Sequence, residues 1–559
     1  MYLVLIETSG NQGYIFATNK LRENIGASQL TYLTGTKWVI GAVAQVDGNS
    51  RLDLWTNKGS KQLRNKLLNL ELNPAIEQSD FQVEIVLAAS GKAMLLVKEH
   101  TVAKEIVRQV TLQALKEAPG LDISGVILEF DWQQERSLER AIKDVHQKFE
   151  ANRSRIPSPA MRFLRLPVVE ECASSGLPAA AIEKYGEVRA ISLTSQHKRE
   201  AKQSGFDRIA ALLKSSYPEG NFANSLQVLD SEDGGRDLEW LGVIHADGNG
   251  LGKIFINFQE HLEQIQPEYT NRDYVNRLRE FSLALDDCTE KAFLTALSVF
   301  EPEEDILPIF PLILGGDDLT VICDGKLALP FTERFLQEFE AETQQNDIIR
   351  SIAEVALKGD RLSACAGVAI VKPHFPFSVA YELAESLAKS AKQVKEIVLT
   401  EGSNSPYPCS AIDFHIVYDS SGVELQQIRQ RLTVDNNRTK LYRRPYVVTA
   451  QSDLTAAMGE EWVAVHHWSR LQRWIEVLQA KDEEGKPQLP NSQIYRLREN
   501  LALGKVVTDS SYRSIRKRYQ DRGITELEGA EKSLFILEPA SNRVYLTGLL
   551  DAIEAADFV

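Results

Sequence analysis

Two adjacent carboxylates stand between apolar runs in PLILGGDDLTVICDG, residues 311–325, where Gly315-Gly316-Asp317-Asp318 interrupts a stretch of β-forming residues. The pattern predicts a tight hairpin with Asp317 and Asp318 at its tip. Two aspartates side by side repel each other unless a cation joins them. A hard divalent ion with oxygen ligands, Mg²⁺ or Mn²⁺, suits that task. Such an ion holds a triphosphate and lowers the pKa of an attacking hydroxyl. On composition alone, a solvated Asp-rich turn is an equal reading, and the surrounding sequence has to decide.

Upstream lies EWLGVIHADGNGLGKIF, residues 239–255. Leu241 to Ala246 read as a buried strand with Asp247 at its C-terminal end. Gly248, Asn249, Gly250, Leu251 and Gly252 follow, in a loop whose N–H groups can converge on an anion. An ordinary Asp-Gly turn is the plain alternative. A strand ending in Asp, a helical segment and a hairpin tipped with Asp-Asp follow in the order of a palm domain. There three carboxylates share metal ions, and a 3′-hydroxyl attacks an α-phosphate in line. SACAGVAIVKPHFPFSVAYELAESLAKSAKQ, residues 363–393, reads as a strand, a Pro-containing loop and an amphipathic helix. Lys389 and Lys392 share a face of that helix; they are triphosphate ligands or solvated surface lysines. A further strand, CSAIDFHIVYD at 409–419, carries Asp413, structural or catalytic.

Together with LYRRPYVV at 441–448, these segments resemble, in order, the catalytic palm of the large polymerase-like subunit of type III CRISPR effector complexes. That palm is similar to the palm of GGDEF nucleotide cyclases and makes cyclic oligoadenylates from ATP. The resemblance implies that Asp247, Asp317 and Asp318 are metal ligands and catalytic groups. It further implies that Gly315 and Gly316 leave room for a nucleotide and that Lys392 holds a triphosphate. ATP or another NTP, other effector subunits and a guide RNA are the partners it implies.

The N-terminus resembles the first, non-catalytic palm of that family. Tyr2 to Glu7 is expected as a strand, Asn11 to Leu33 as a helix, and residues 81–100 as a hairpin tipped by Ala89-Ser90-Gly91-Lys92. Thr8-Ser9 is expected where the other palm has Asp247. Ser9, Gln12 and Lys92 are candidates for a second nucleotide at a palm–palm interface; a purely scaffolding role is nearly as good a reading. EECASSGLPA, residues 170–179, resembles the first knuckle of a zinc ribbon, but Ser175 replaces the second cysteine. The five cysteines are scattered, so no zinc is expected. No His-Asp dipeptide occurs, so no HD-type nuclease site is expected.

The chain of 559 residues is long enough for several domains. Its formal net charge of −15 disfavours a long basic nucleic-acid track and a template-dependent polymerase. Arg438, Lys440, Arg443 and Arg444 form one local basic cluster. Arg513, Arg516, Lys517, Arg518 and Arg522 form another, read as a contact face or a solvated helix. No apolar run approaches the ~20 residues of a membrane span. Few, unpaired cysteines suit a reducing, cytoplasmic setting, and MYLVLIETS reads as a strand rather than a signal peptide.

The expected fold class is α+β. It comprises a degenerate ferredoxin-like palm (1–153), an inserted metal-free linker domain (154–235) with loop signals at IPSPA, SSYPEG and DSEDGGRD, a catalytic GGDD palm (236–449) and a helical C-terminal domain (450–559). The expected function is a Mg²⁺- or Mn²⁺-dependent nucleotidyltransferase that joins ATP into a cyclic oligonucleotide, a second messenger of antiviral defence. A non-catalytic nucleotide-binding or scaffolding subunit is the rival. Base, linkage and ring size stay open.

Overall fold

The structure is a computed structural model. It describes the chain apart from residues 49–50, 52–53, 56–59, 156, 158–160, 162, 164, 184–187, 219–228, 230–237, 301–306, 403–404, 419–423, 456, 520–521, 530–531 and 540–542. The DSEDGGRD loop signal, and parts of IPSPA and SSYPEG, lie outside the described residues.

The fold is α+β and contains the same sheet twice. In the N-terminal half, strands β1 (Tyr2–Ser9), β2 (Val83–Ala89), β3 (Lys92–Val97) and β4 (Asp122–Glu129) form a sheet of order β2-β3-β1-β4. Strands β5 (Ala179–Glu183) and β6 (Arg189–Ser192) make a separate small hairpin. In the second half, β7 (Leu241–Gly248), β8 (Ile309–Gly315), β9 (Asp318–Asp324) and β10 (Ala364–Val371) repeat the first order as β8-β9-β7-β10. The Ala411–Ile416 strand extends this sheet in parallel with β10, and Tyr446–Val447 closes its edge.

The repeat holds at the level of single residues. Both hairpins carry a one-residue bulge at the same distance from the tip, at Val86 in the first and Leu312 in the second. A bulge frees a carbonyl from the ladder, and here each freed carbonyl is met from the other half. Arg279 donates to Val86 O at 3.4 Å, and the Ser28 hydroxyl donates to Leu312 O. Arg279 also pairs with the fully buried Glu84 at 2.5 Å, and Arg272 adds a second guanidinium to it. The two palms therefore pack as an approximate pair, each sending a helix against the other's hairpin.

β7 is buried on both faces along Leu241–Ala246. This explains why its sequence is a continuous apolar run rather than an alternating one. The Ala328–Gln345 helix covers the sheet with buried Phe331, Phe335 and Phe339, the first two stacked and the last pair tilted. The Asn271–Ala296 helix starts on a capping box between Thr270 and Asp273, which satisfies two of its free N–H groups.

The structure corrects several sequence expectations. The helix expected from Asn11 to Leu33 is two helices, Asn11–Ile15 and Leu21–Gly35. The break turns Phe16 out to stack on Tyr381 of the second palm at 3.9 Å, a tertiary contact that helical periodicity cannot reveal. Arg443 and Arg444, expected in a local basic cluster, are buried. Arg444 pairs with Asp551 at 2.9 Å and with Glu554 at 3.3 Å, tying the C-terminal Leu549–Ala555 helix to the second palm. Asp413 is fully buried and receives both its hydrogen bonds from Arg429, at 2.6 and 2.7 Å, so its role is structural. Among the described residues no helix is long and apolar enough to cross a membrane.

Candidate metal and nucleotide site

The end of β7 and the tip of the β8–β9 hairpin bring Asp247, Asp317 and Asp318 together. One carboxylate oxygen from each lies within 4.8 Å of the others. The antiparallel pairing of β7 with β9 runs to Ala246 opposite Leu319, so the next step faces Asp247 towards Asp318. Gly316, with φ 62°, supplies the positive-φ first position of the two-residue loop. Gly248 is required by close approach: a Cβ there would lie 2.9 Å from Asp317 Cβ and 3.0 Å from its Oδ2.

Charge is unbalanced at this point. Burial, then repulsion from Asp247, raises the Asp317 carboxyl from 3.8 to about 7. Burial together with Asp317 and Asp247 pushes Asp318 well above the usual carboxylate range. The nearby cation is Lys392, whose ammonium bonds the Asp247 carboxylate and reaches Gly248 O at 3.3 Å. Among the described residues, these three carboxylates face one ammonium. An all-oxygen donor set with a charge deficit fits a hard divalent ion such as Mg²⁺ or Mn²⁺.

The other residues singled out from the sequence fall in distinct places. Lys389 sits one turn before Lys392, is 69% exposed and pairs with Glu385 at 2.7 Å. Asn249 donates to Ser363 Oγ at 3.0 Å and to Cys409 O at 3.2 Å, which fastens the loop after β7 to the strands beside it. Gly250, with φ 75°, precedes the short Leu251–Ile256 helix; Leu251 is buried beneath it and Gly252 has open space above it. Gly315 ends β8 beside Asp286. In the first palm, Ser9 ends β1 opposite Asp122. Gln12 approaches the Tyr381 hydroxyl, whose pKa is raised by burial and by Glu385, Asp318 and Asp247. Lys92 pairs with Glu7 at 3.2 Å.

That last pair revises the correspondence between the palms. Hairpin register matches Lys92 to Asp318 and Gly91 to Asp317, and Glu7 is paired opposite Lys92. Glu7, not Thr8-Ser9, therefore takes the place of Asp247. A one-residue shift in a strand exchanges its two faces, and only the ladder fixes the shift.

Two features were not read from the sequence. One is the network behind the hairpin, in which Asp286 accepts the Gly316 N–H at 3.0 Å and Thr289 Oγ1 donates to Gly316 O at 2.5 Å. Their i, i+3 spacing on the long helix was available as a signal. The other surrounds Cys172. Ser175, Ser192 and Ser195 complete a hydrogen-bonded cluster with it, including Ser175 Oγ to Ser192 Oγ at 3.0 Å and Cys172 Sγ to Ser195 Oγ at 3.6 Å. Cys172-x-x-Ser175 and Ser192-x-x-Ser195 share one spacing, which is the signal for this cluster in the sequence. Burial alone would raise the Cys172 thiol, but hydrogen bonds with Ser174, Ser175 and Ser195 bring it down to about 6.

Comparison with known proteins finds a family model that matches part of the chain. Residues 240–397 match the family model described as Cas10/Cmr2, second palm domain. Among solved structures, a Csm1–Csm4 cassette in complex with pppApA aligns at 12% identity and TM-score 0.49, covering 100% of this chain and 69% of that one. A Csm1–Csm4 cassette in complex with cA4 aligns at 12% identity and TM-score 0.44, covering 89% of this chain. The alignment spans 61% of that relative's length. The apo state of a type III-B Cmr-β complex aligns at 11% identity and TM-score 0.45, covering 99% and 81%. A search of curated proteins gives no significant match.

Proposed function

We propose that this chain, whose residues 240–397 are a second palm domain of the Cas10/Cmr2 type, is a metal-dependent nucleotidyltransferase of a type III CRISPR effector. Its reaction joins ATP into a cyclic oligonucleotide by attack of a 3′-hydroxyl, which gives up its proton, on an α-phosphate, with the α–β bond broken and pyrophosphate released. The observation that carries this reading is the triad of Asp247, Asp317 and Asp318, converging within 4.8 Å with an unmet charge.

Asp247, Asp317 and Asp318 would hold Mg²⁺ or Mn²⁺, which lowers the pKa of the attacking hydroxyl and offsets charge on the phosphates. The chain's own residues set the stage for that. Gly248 admits Asp317 to the strand end. Asp286 and Thr289 hold both backbone groups of Gly316 and so fix where the two hairpin carboxylates point. Lys392 balances Asp247 in the free protein and stands where a triphosphate arriving at the triad meets an ammonium. Gln12 and Tyr381 lie where the first palm borders the site, in reach of a second nucleotide. Lys389, Asn249, Gly250 and Gly252 line the approach or shape its loop.

The test is mass spectrometry of products after incubation with all four NTPs and Mg²⁺ or Mn²⁺, beside an Asp317→Ala, Asp318→Ala double variant. A cyclic oligonucleotide made by the native chain alone is the expected result, and its mass gives base and ring size. Nucleotide binding without product, repeated with guide and target RNA and companion subunits present, favours the binding-only subunit instead.

A further inference from the structure

The network behind the hairpin reaches across to the first palm. Arg64, on the Ser60–Leu68 helix, is buried with 6% of its side chain exposed. Its Nη1 lies 2.5 Å from Asp286 and 3.1 Å from Glu290, and its Nη2 lies 2.9 Å from Asp287 and 3.1 Å from Glu290. Ser60 of the same helix also donates to Glu290. The fork thus grips three carboxylates on two turns of the Asn271–Ala296 helix. The other oxygen of one of them, Asp286, accepts the Gly316 N–H. The path from the first palm to the metal ligands is then three steps: Arg64, Asp286, and the backbone of Gly316 next to Asp317.

We propose that Arg64 is a positioning residue by which the first palm sets the hairpin carboxylates of the second. Asp286 carries two demands. One oxygen must stay on the Gly316 N–H, and its charge must not join the three carboxylates already crowded at the tip. A guanidinium answers both: its fork grips Glu290 through Nη1 and Nη2 and is oriented by it, which places Nη1 on the second oxygen of Asp286 at 2.5 Å with a charge that offsets it. Lys291 relieves only Asp287, at 2.9 Å. Without Arg64, the buried Glu290 and the partly buried Asp286 lose the cation that is hydrogen-bonded to both and keep the more distant charge of Arg208. Asp286 then turns towards solvent or the metal site, and the Gly316 N–H loses its fixed partner. The first palm, with Lys92 where the second has Asp318, thereby contributes to the chemistry of the second.

The proposal rests on the metal reading of the triad, and its test separates the two. Mn²⁺ is titrated into the full-length protein without nucleotide, with free ion read by electron paramagnetic resonance, for the native chain, Asp318→Ala, Arg64→Ala and Arg64→Lys. Hydrogen exchange of the 311–325 hairpin is followed in the metal-free state. Arg64→Ala is expected to weaken Mn²⁺ binding about tenfold and to speed exchange at Gly316 by a similar factor, the effect of one lost charge-assisted hydrogen bond. Arg64→Lys, which restores charge without the fork, is expected to recover part of the affinity and to guard against a variant that merely folds poorly. Unchanged Mn²⁺ affinity in a folded Arg64→Ala chain overturns the proposal, even with faster exchange. A native chain that binds Mn²⁺ no better than Asp318→Ala overturns the metal reading instead.

Discussion

The two palms share strand order, register and even the position of a hairpin bulge, yet they settle charge in opposite ways. At the tip of the first, Glu7 meets Lys92 at 3.2 Å, a carboxylate with its own ammonium. At the matching point of the second, Asp247 meets Asp318, with Asp317 added beside them. One palm is electrostatically closed, whereas the other is left short of positive charge and buried enough to feel it. The framework is kept in both palms, and in the second the internal counter-charge is a single ammonium, Lys392 on Asp247, against three carboxylates.

The largest expected effect comes from removing that unmet charge. Asp317→Ala or Asp318→Ala should lower product formation by at least about a hundredfold, the order seen when a transition-state charge partner is lost, measured by product mass spectrometry. A drop of less than a few-fold in both variants would dissolve the contrast between the palms. Gly248→Ala comes next. Its Cβ would crowd Asp317 at 2.9 Å, so it should cost about 1–3 kcal/mol of stability as overpacking does and weaken Mn²⁺ binding together with it. Thermal denaturation and metal titration read the two separately.

Proton linkage gives a third test. The Asp317 carboxyl is raised from 3.8 to about 7 in the folded chain, by burial and then by Asp247. The fold therefore favours the protonated form. Metal-free stability from this group is undiminished below the unfolded value and declines as pH rises through the folded one. Asp317→Asn should remove that decline and stabilise the metal-free protein at pH 8 by about 1 kcal/mol or more, since one pKa unit corresponds to about 1.4 kcal/mol. Mn²⁺ affinity of the native chain should rise with pH across the same window, because binding displaces the proton. Denaturation curves and titrations at pH 5 and pH 8 check both.

The smallest effect probes the first palm. Lys92→Asp puts a second carboxylate beside Glu7, and the loss of the partly exposed pair should cost about 1 kcal/mol or less. It should not create a metal site. The third ligand would have to come from Gly91, where φ is 70° and a Cβ would lie 2.4 Å from Thr8 Oγ1. Mn²⁺ bound at the first palm of this variant would show that carboxylates alone separate the two halves.

Much of the second palm was legible because its signals are local. Apolar runs bounded by glycine and aspartate mark β7 and the β8–β9 hairpin, and the placement of Asp317 and Asp318 at the tip follows from the turn. By helical spacing Lys392 was legible only as one of two lysines, and it was the family resemblance that singled it out. Helical spacing put Lys389 and Lys392 on a common face, and the rotation of the Phe377–Ala391 helix against β10 decided which one meets Asp247. The first palm was less legible. Counting residues to the strand end pointed to Thr8-Ser9, while the ladder pointed to Glu7.

By itself, then, the sequence determined the element types, the repeated strand pattern and the three carboxylates, since these depend on periodicity and turn chemistry over a few residues. Tertiary structure alone decided the register that matches Glu7 to Asp247, the burial of Arg443 and Arg444 against the C-terminal helix, and the reach of Arg64 to the hairpin. Those outcomes rest on contacts between segments tens to hundreds of residues apart. Their energies depend on which faces meet and how deeply charges are buried, and no local pattern records either.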